Sequence, residues 1–146
     1  MKSEETKPES LLVQWQTCVE MANSVSQRRD TMNNLFTTLN LAVIAGVTFS
    51  WNLKSLFILA IGIIVCIIWL YFIRNYKLLN AEKFAVINSM EKQLPYQPFN
   101  TEWEKLKKNP KYKDTTKLES IIPKTFIVLY TVAIVTIILM RIQEAI

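Results

Sequence analysis

The sequence predicts an all-α membrane protein with three transmembrane helices, an amphipathic N-terminal helix and a helical cytosolic layer, and three observations carry that prediction. Of the 146 residues 51% are apolar, yet the formal charge is +5, because apolar and charged residues fall in separate blocks. Leu56–Ile73 is 18 consecutive uncharged residues, long enough to cross a hydrocarbon core about 30 Å thick. No Gly or Pro interrupts the chain between Glu9 and Ala45, so nothing local stops an amphipathic helix from running straight into a first span.

Residues 1–8 are short and polar and are expected to be loose. The first thirty residues contain no apolar core of a secretory signal, so the membrane segments are expected to be retained. From residue 9 to 34 the chain reads as a cytosolic amphipathic helix: Leu11, Trp15, Cys18, Val19, Ala22 and Val25 recur at helical spacing, with Gln14, Gln16, Glu20 and Asn23 opposite. That face could pack on the protein's own cytosolic part or lie on the membrane surface. The scarcity of Lys and Arg on its polar side favours the first.

The first span covers residues 35–50, with Arg28 and Arg29 on one flank and Trp51 on the other. Asp30, Asn33, Asn34, Thr37, Leu41 and Thr48 share a broad face, a polar stripe that fades with depth, and Gly46 would let another helix approach closely. Residues 51–55 form a short connection that makes an antiparallel hairpin with the second span, residues 56–73. Trp69, Tyr71 and Tyr76 at its exit fit an aromatic belt.

Residues 74–120 form the cytosolic layer. Nothing breaks the helix between Ile73 and Pro95, so the second span is expected to continue as a stalk. Asn100 is placed to cap a short helix over Thr101–Lys108, and Thr116-Lys-Leu-Glu119 fits a capping box. The third span is residues 121–140, with Pro123 and Lys124 in its first turn, followed by an external tail, 141–146. Four Lys and Arg residues precede the first span and ten lie between Arg74 and Lys117, against only Lys54 and Arg141 on the other side. The N-terminus and residues 74–120 are therefore expected in the cytoplasm and the C-terminus outside.

Candidate site residues follow from what lipid forbids. Asn33, Asn34, Thr37, Thr38 and Asn40 carry polar groups into hydrocarbon, where they need protein or water partners. They could line a water-filled path or hydrogen-bond between helices or subunits. Arg28 and Arg29 are candidates for headgroup contact or for a pore mouth. Arg74, Tyr76, Asn80 and Lys83 on the stalk either fix register or bind an anionic ligand. The run Lys105, Lys107, Lys108, Lys111, Lys113 and Lys117 is diluted by Glu102, Glu104 and Asp114, so it reads as a solvated face near an anionic membrane rather than a specific nucleic-acid site.

Catalysis has little to work with. There is no His, no paired acid in a span and no Gly loop for phosphate, since Gly46 and Gly62 both lie within spans. No cofactor or metal site is expected, and Cys18 and Cys66 are not expected to pair. The expected partners are membrane lipid and further copies of the chain, with a cytosolic protein or a small anionic ligand as the candidate partner of the cytosolic layer.

Ser26-Gln-Arg-Arg with Asn34 and Asn40, Trp69 with Arg74-Asn-Tyr76 and Leu79-Asn80-Ala-Glu-Lys83-Phe84, Glu91-Lys-Gln-Leu94-Pro95, and Pro98-Phe-Asn-Thr-Glu102-Trp103 together resemble the RipA family of small octameric bacterial inner-membrane proteins. The resemblance covers roughly residues 11–130. It implies a homo-octamer in the cytoplasmic membrane and no particular chemistry. With the Asn/Thr stripe, that ring points to a gated pore, an ion channel or membrane effector whose cytosolic layer senses a signal and whose first span lines the axis. The alternative is a non-conducting membrane scaffold or partner-recruiting module, and a part in stress or phage defence enters only as family-level context.

Overall fold

The computed structural model of the chain describes residues 6–48 and 52–145. The expected interface anchor Trp51, the last two residues of the first span and most of the loose N-terminal stretch lie outside the described residues. Among those described there is no strand, and five helices follow in order: α1 (Thr6–Thr48), α2 (Leu53–Glu91), α3 (Pro98–Lys108), α4 (Thr115–Glu119) and α5 (Ile121–Ala145). Helix α1 begins three residues before the expected Glu9 and takes Pro8 into its first turn. There a missing N–H costs nothing, because that donor would have no partner inside the helix. Asn52 starts α2 by accepting the Lys54 N–H on Oδ1 at 2.9 Å.

Helix α2 and the stretch Thr115–Glu144 are long and apolar enough to cross a membrane; α1 is not counted with them. The Asn and Thr residues over 33–40 lower the apolar content of any window through that helix. Only 28% of the most apolar window of α2, and 11% of that in Thr115–Glu144, is buried within the chain. A soluble protein would bury such helices, so these faces call for lipid or other subunits.

The chain divides into two compact units, one made of the residues up to Arg29 with Asn75–Asp114, the other of Asp30–Arg74 with the residues from Thr115 onward. In the second unit, α1, α2 and α5 enclose two apolar clusters. Val47, Leu59, Cys66, Tyr130 and Ile137 centre one, and Phe36, Trp69 and Ile73 the other. Phe36 stacks on Trp69 with ring centroids 5.7 Å apart and also meets Phe72. Gly62 permits a close approach: a Cβ there would lie 2.7 Å from Cε2 of Tyr130 and 3.0 Å from Cγ1 of Val43. Gly46, the expected site of approach, faces open space within the chain.

In the first unit, Ala22 and Val25 of α1 and Ile87 of α2 are buried. Trp15 and Phe84 both pack on Phe99 of α3, at 5.8 and 5.5 Å between centroids. The start of α3 departs from the expected Asn100 cap. The helix opens at Pro98, whose fixed φ suits a first turn, and Gln97 offers no side-chain cap. The exposed amides are met instead by Glu91, fully buried at the end of α2, whose Oε1 and Oε2 accept from the N–H groups of Phe99 and Asn100 at 3.2 Å each. A carboxylate at a helix N-terminus is favoured by the helix dipole as well as by the two bonds.

Glu91→Ala would leave both half-buried amides without their acceptors, a loss of about 1–2 kcal/mol locally. Hydrogen exchange should read this as faster exchange at Phe99 and Asn100, with the α1 amides around Asn40 unchanged. Equal rates in variant and parent would mean that Glu91 does not hold α3.

Candidate functional site

The polar residues of α1 sort into two sets, because a helix turns 100° per residue and neighbours in sequence face different ways. Asn33, Thr37 and Asn40 lie on the side that meets the chain's own helices, and Asn34 and Thr38 on the side turned away from them.

Asn40 is the centre of the inward set, with 0% of its surface exposed. Its Oδ1 accepts from the Tyr130 hydroxyl at 2.8 Å and from the Cys66 thiol at 3.0 Å, and its Nδ2 donates to the Phe36 carbonyl at 2.8 Å. The Tyr130 hydroxyl also lies 3.1 Å from the Asn40 carbonyl oxygen. One amide therefore joins α1, α2 and α5, with every polar group at the junction supplied by protein. One level away, Asn33 Oδ1 accepts from the Trp69 indole N–H at 2.8 Å, which fixes the ring against Phe36. Thr37 is half-buried and donates its hydroxyl to the Asn33 carbonyl at 2.8 Å.

The outward set looks different. Thr38 is exposed and donates to the Asn34 carbonyl at 3.0 Å, and Thr48 donates to that of Ile44 at 2.8 Å. Such back-bonding satisfies the hydroxyl donor within the helix and leaves the methyl and the oxygen lone pairs outside. Asn34 is exposed, and with Thr31, Thr38, Leu41, Ala45 and Thr48 it forms a mixed stripe on the outward side of α1, flanked by the exposed apolar side chains of Leu35, Leu39 and Ile44. The outward faces of the other two long helices carry Phe57, Ile61, Ile64 and Ile68 on α2, and Val128, Val132, Val135 and Leu139 on α5. That of α2 is apolar from Phe57 to Ile68, and α5 also exposes Thr125, Thr131 and Thr136, whose hydroxyls donate to the carbonyls of Ile121, Ile127 and Val132.

The flanking candidates do not form one cluster. Arg28 is exposed and Arg29 half-buried. On α2, Tyr76, Asn80 and Lys83 share the half-buried side that continues to Ile87 and Glu91, whereas Arg74 is exposed about 160° around the helix from Tyr76. In the first unit, Lys105, Lys107, Lys108, Lys111 and Lys113 are exposed, and Lys77 pairs with Asp114 at 2.6 Å. Sequence reasoning missed the partners of the asparagines. Tyr130 and Cys66 were the available signal, since a phenol and a thiol inside apolar spans need acceptors that lipid cannot supply.

A family model described as the octameric membrane protein family (8xMP) matches residues 12–139 of the chain. No curated protein and no solved structure matches it.

Proposed function

Since this chain belongs to the octameric membrane protein family, we propose that it forms a homo-octameric ring in a bacterial cytoplasmic membrane in which α1 is a third span, its outward face turned to the axis and neighbouring copies, and that the ring is a gated pore acting without catalysis. The observation that carries this reading is the contrast between faces: α1 turns an amide, Asn34, away from its own chain, while α2 turns out apolar side chains from Phe57 to Ile68 and the outward polar groups of α5 between Thr125 and Met140 are threonine hydroxyls bonded back to their own helix. Lipid accepts apolar side chains and back-bonded hydroxyls but offers no partner to an amide, so α2 and α5 belong at the perimeter and α1 inside.

Ring geometry adds to the argument. Eight parallel helices packed at about 8–10 Å have their axes on a circle of radius roughly 10–13 Å. With a helix radius of about 5 Å, the centre stays open by roughly 10 Å across or more. Side contacts between one helix per subunit therefore do not close an eightfold axis, and the face that lines it meets water, lipid or a plug. Orientation with the N-terminus and residues 74–120 in the cytoplasm rests on the Lys and Arg asymmetry. The narrower RipA-type kinship, and a role in stress or phage defence, rest on the residue resemblance alone.

One observation favours a non-conducting scaffold instead. The hydroxyls of Thr38 and Thr48 are already bonded to their own helix, which lowers the demand for water at that face. Ion flux through liposomes holding the purified octamer separates the two readings. We expect flux in the parent and a loss of at least tenfold in Asn34→Leu and in Thr38→Val, with the octamer retained in both. Absence of flux at every voltage and pH would overturn the pore.

A further inference from the structure

Helix α3 and the loop that follows carry a surface that lies apart in sequence from the polar stripe of α1. Trp103 is 44% exposed and Tyr112 39%, their rings meeting edge to face at 6.3 Å, and Lys107 Nζ lies 5.3 Å above the Trp103 ring. Lys108 and Lys111 are exposed beside them in sequence, and Asp114, the nearest acid downstream, is taken up by Lys77. Aromatic rings that stay half-exposed among lysines are costly in bulk water and well matched to a bilayer interface, where the ring sits at headgroup level and the ammonium meets phosphate. The connection from this surface to the apolar helix α5 is also short. Lys113 is eight residues from Ile121, the start of α5, a stretch of at most about 28 Å fully extended and shorter because α4 is helical.

We propose that this surface, formed by Trp103, Lys107, Lys108, Lys111 and Tyr112, docks on the anionic headgroups of the leaflet that α5 enters. The occupant is phospholipid because Glu102 and Glu104 interrupt the lysines, which breaks up a continuous track for nucleic acid but leaves single ammonium–phosphate contacts intact. Docking makes the cytosolic layer responsive to the charge of its own membrane.

The test uses the full-length protein in nanodiscs of phosphatidylcholine, alone or mixed with phosphatidylglycerol, with a trace of lipid brominated high on the acyl chain. The difference in emission between the parent and Trp103→Phe isolates Trp103. We expect that component to be quenched in the mixed discs. The quenching should be lost in phosphatidylcholine alone, in about 1 M salt, where the Debye length falls to about 3 Å, and in the double variant Lys107→Gln with Lys111→Gln. Trp103 emission that is unquenched in mixed discs, or equally quenched in both lipids, overturns the proposal. A shift in that emission on adding soluble polyglutamate to mixed discs that do not quench it would assign the surface to an acidic protein instead.

Discussion

Asn40→Ala is expected to cost the folded subunit about 2–4 kcal/mol, the largest effect of any single polar change among α1, α2 and α5. The amide accepts two bonds and donates one where no water reaches, so its removal strands the Cys66 thiol and frees the Tyr130 hydroxyl from its shorter partner. A buried group left without a partner costs about 1–3 kcal/mol, and the lost volume adds a cavity among three helices. Two features hold the figure down. The Tyr130 hydroxyl keeps the Asn40 backbone carbonyl within reach at 3.1 Å, and interhelical bonds in membranes average below 1 kcal/mol each. Tyr130→Phe removes one donor and leaves the amide bonded to Cys66 and Phe36, so about 1 kcal/mol is expected there. The double variant should cost less than the sum, because both singles break the same bond. Denaturant titration in detergent, followed by helical content, gives all three values. An Asn40→Ala loss no larger than that of Tyr130→Phe would mean that the amide is not the junction of the three helices.

Much of the helical architecture was legible from periodicity and from the few places where Gly and Pro occur. The uncharged run Leu56–Ile73 and its continuation toward Pro95 announce a long helix, and α2 runs from Leu53 to Glu91. The polar stripe was legible as a feature but not as two faces. Asn33 and Asn34 differ by 100°, and which of them meets Trp69 depends on where α2 lies, which no spacing within α1 contains. The same limit hid Glu91. Asn100 looked like a cap because capping rules are local, whereas the acceptor that α3 uses sits on another helix, eight residues before Phe99 and nine before Asn100. Local rules find a donor's need; only packing shows who meets it.

Gly62→Ala is the second large effect, and it runs against intrinsic preference. In an open helix the change gains roughly 0.5–1 kcal/mol, because Ala loses less backbone freedom than Gly. At this position the new methyl would stand 2.7 Å from Cε2 of Tyr130 and 3.0 Å from Val43 Cγ1. The ring is part of a buried cluster and is held by its bond to Asn40, so it cannot swing aside without breaking that bond. Overpacking of this kind costs about 1–3 kcal/mol, and loss of the hydroxyl contact would come on top, so a net destabilisation of about 2 kcal/mol is expected. Removing the ring with Tyr130→Leu should restore part of the loss in the Gly62→Ala background, which a backbone effect alone would not allow. Gly46→Ala supplies the contrast. Its methyl meets nothing within the chain, so the subunit should be unchanged or slightly more stable. If the octamer nevertheless dissociates in that variant, as read by light scattering in detergent, Gly46 is where a neighbouring subunit packs. The pair thus separates the two uses that small residues have in membrane helices, close packing within the subunit, seen at Gly62, and contact between subunits, which the Gly46 variant tests.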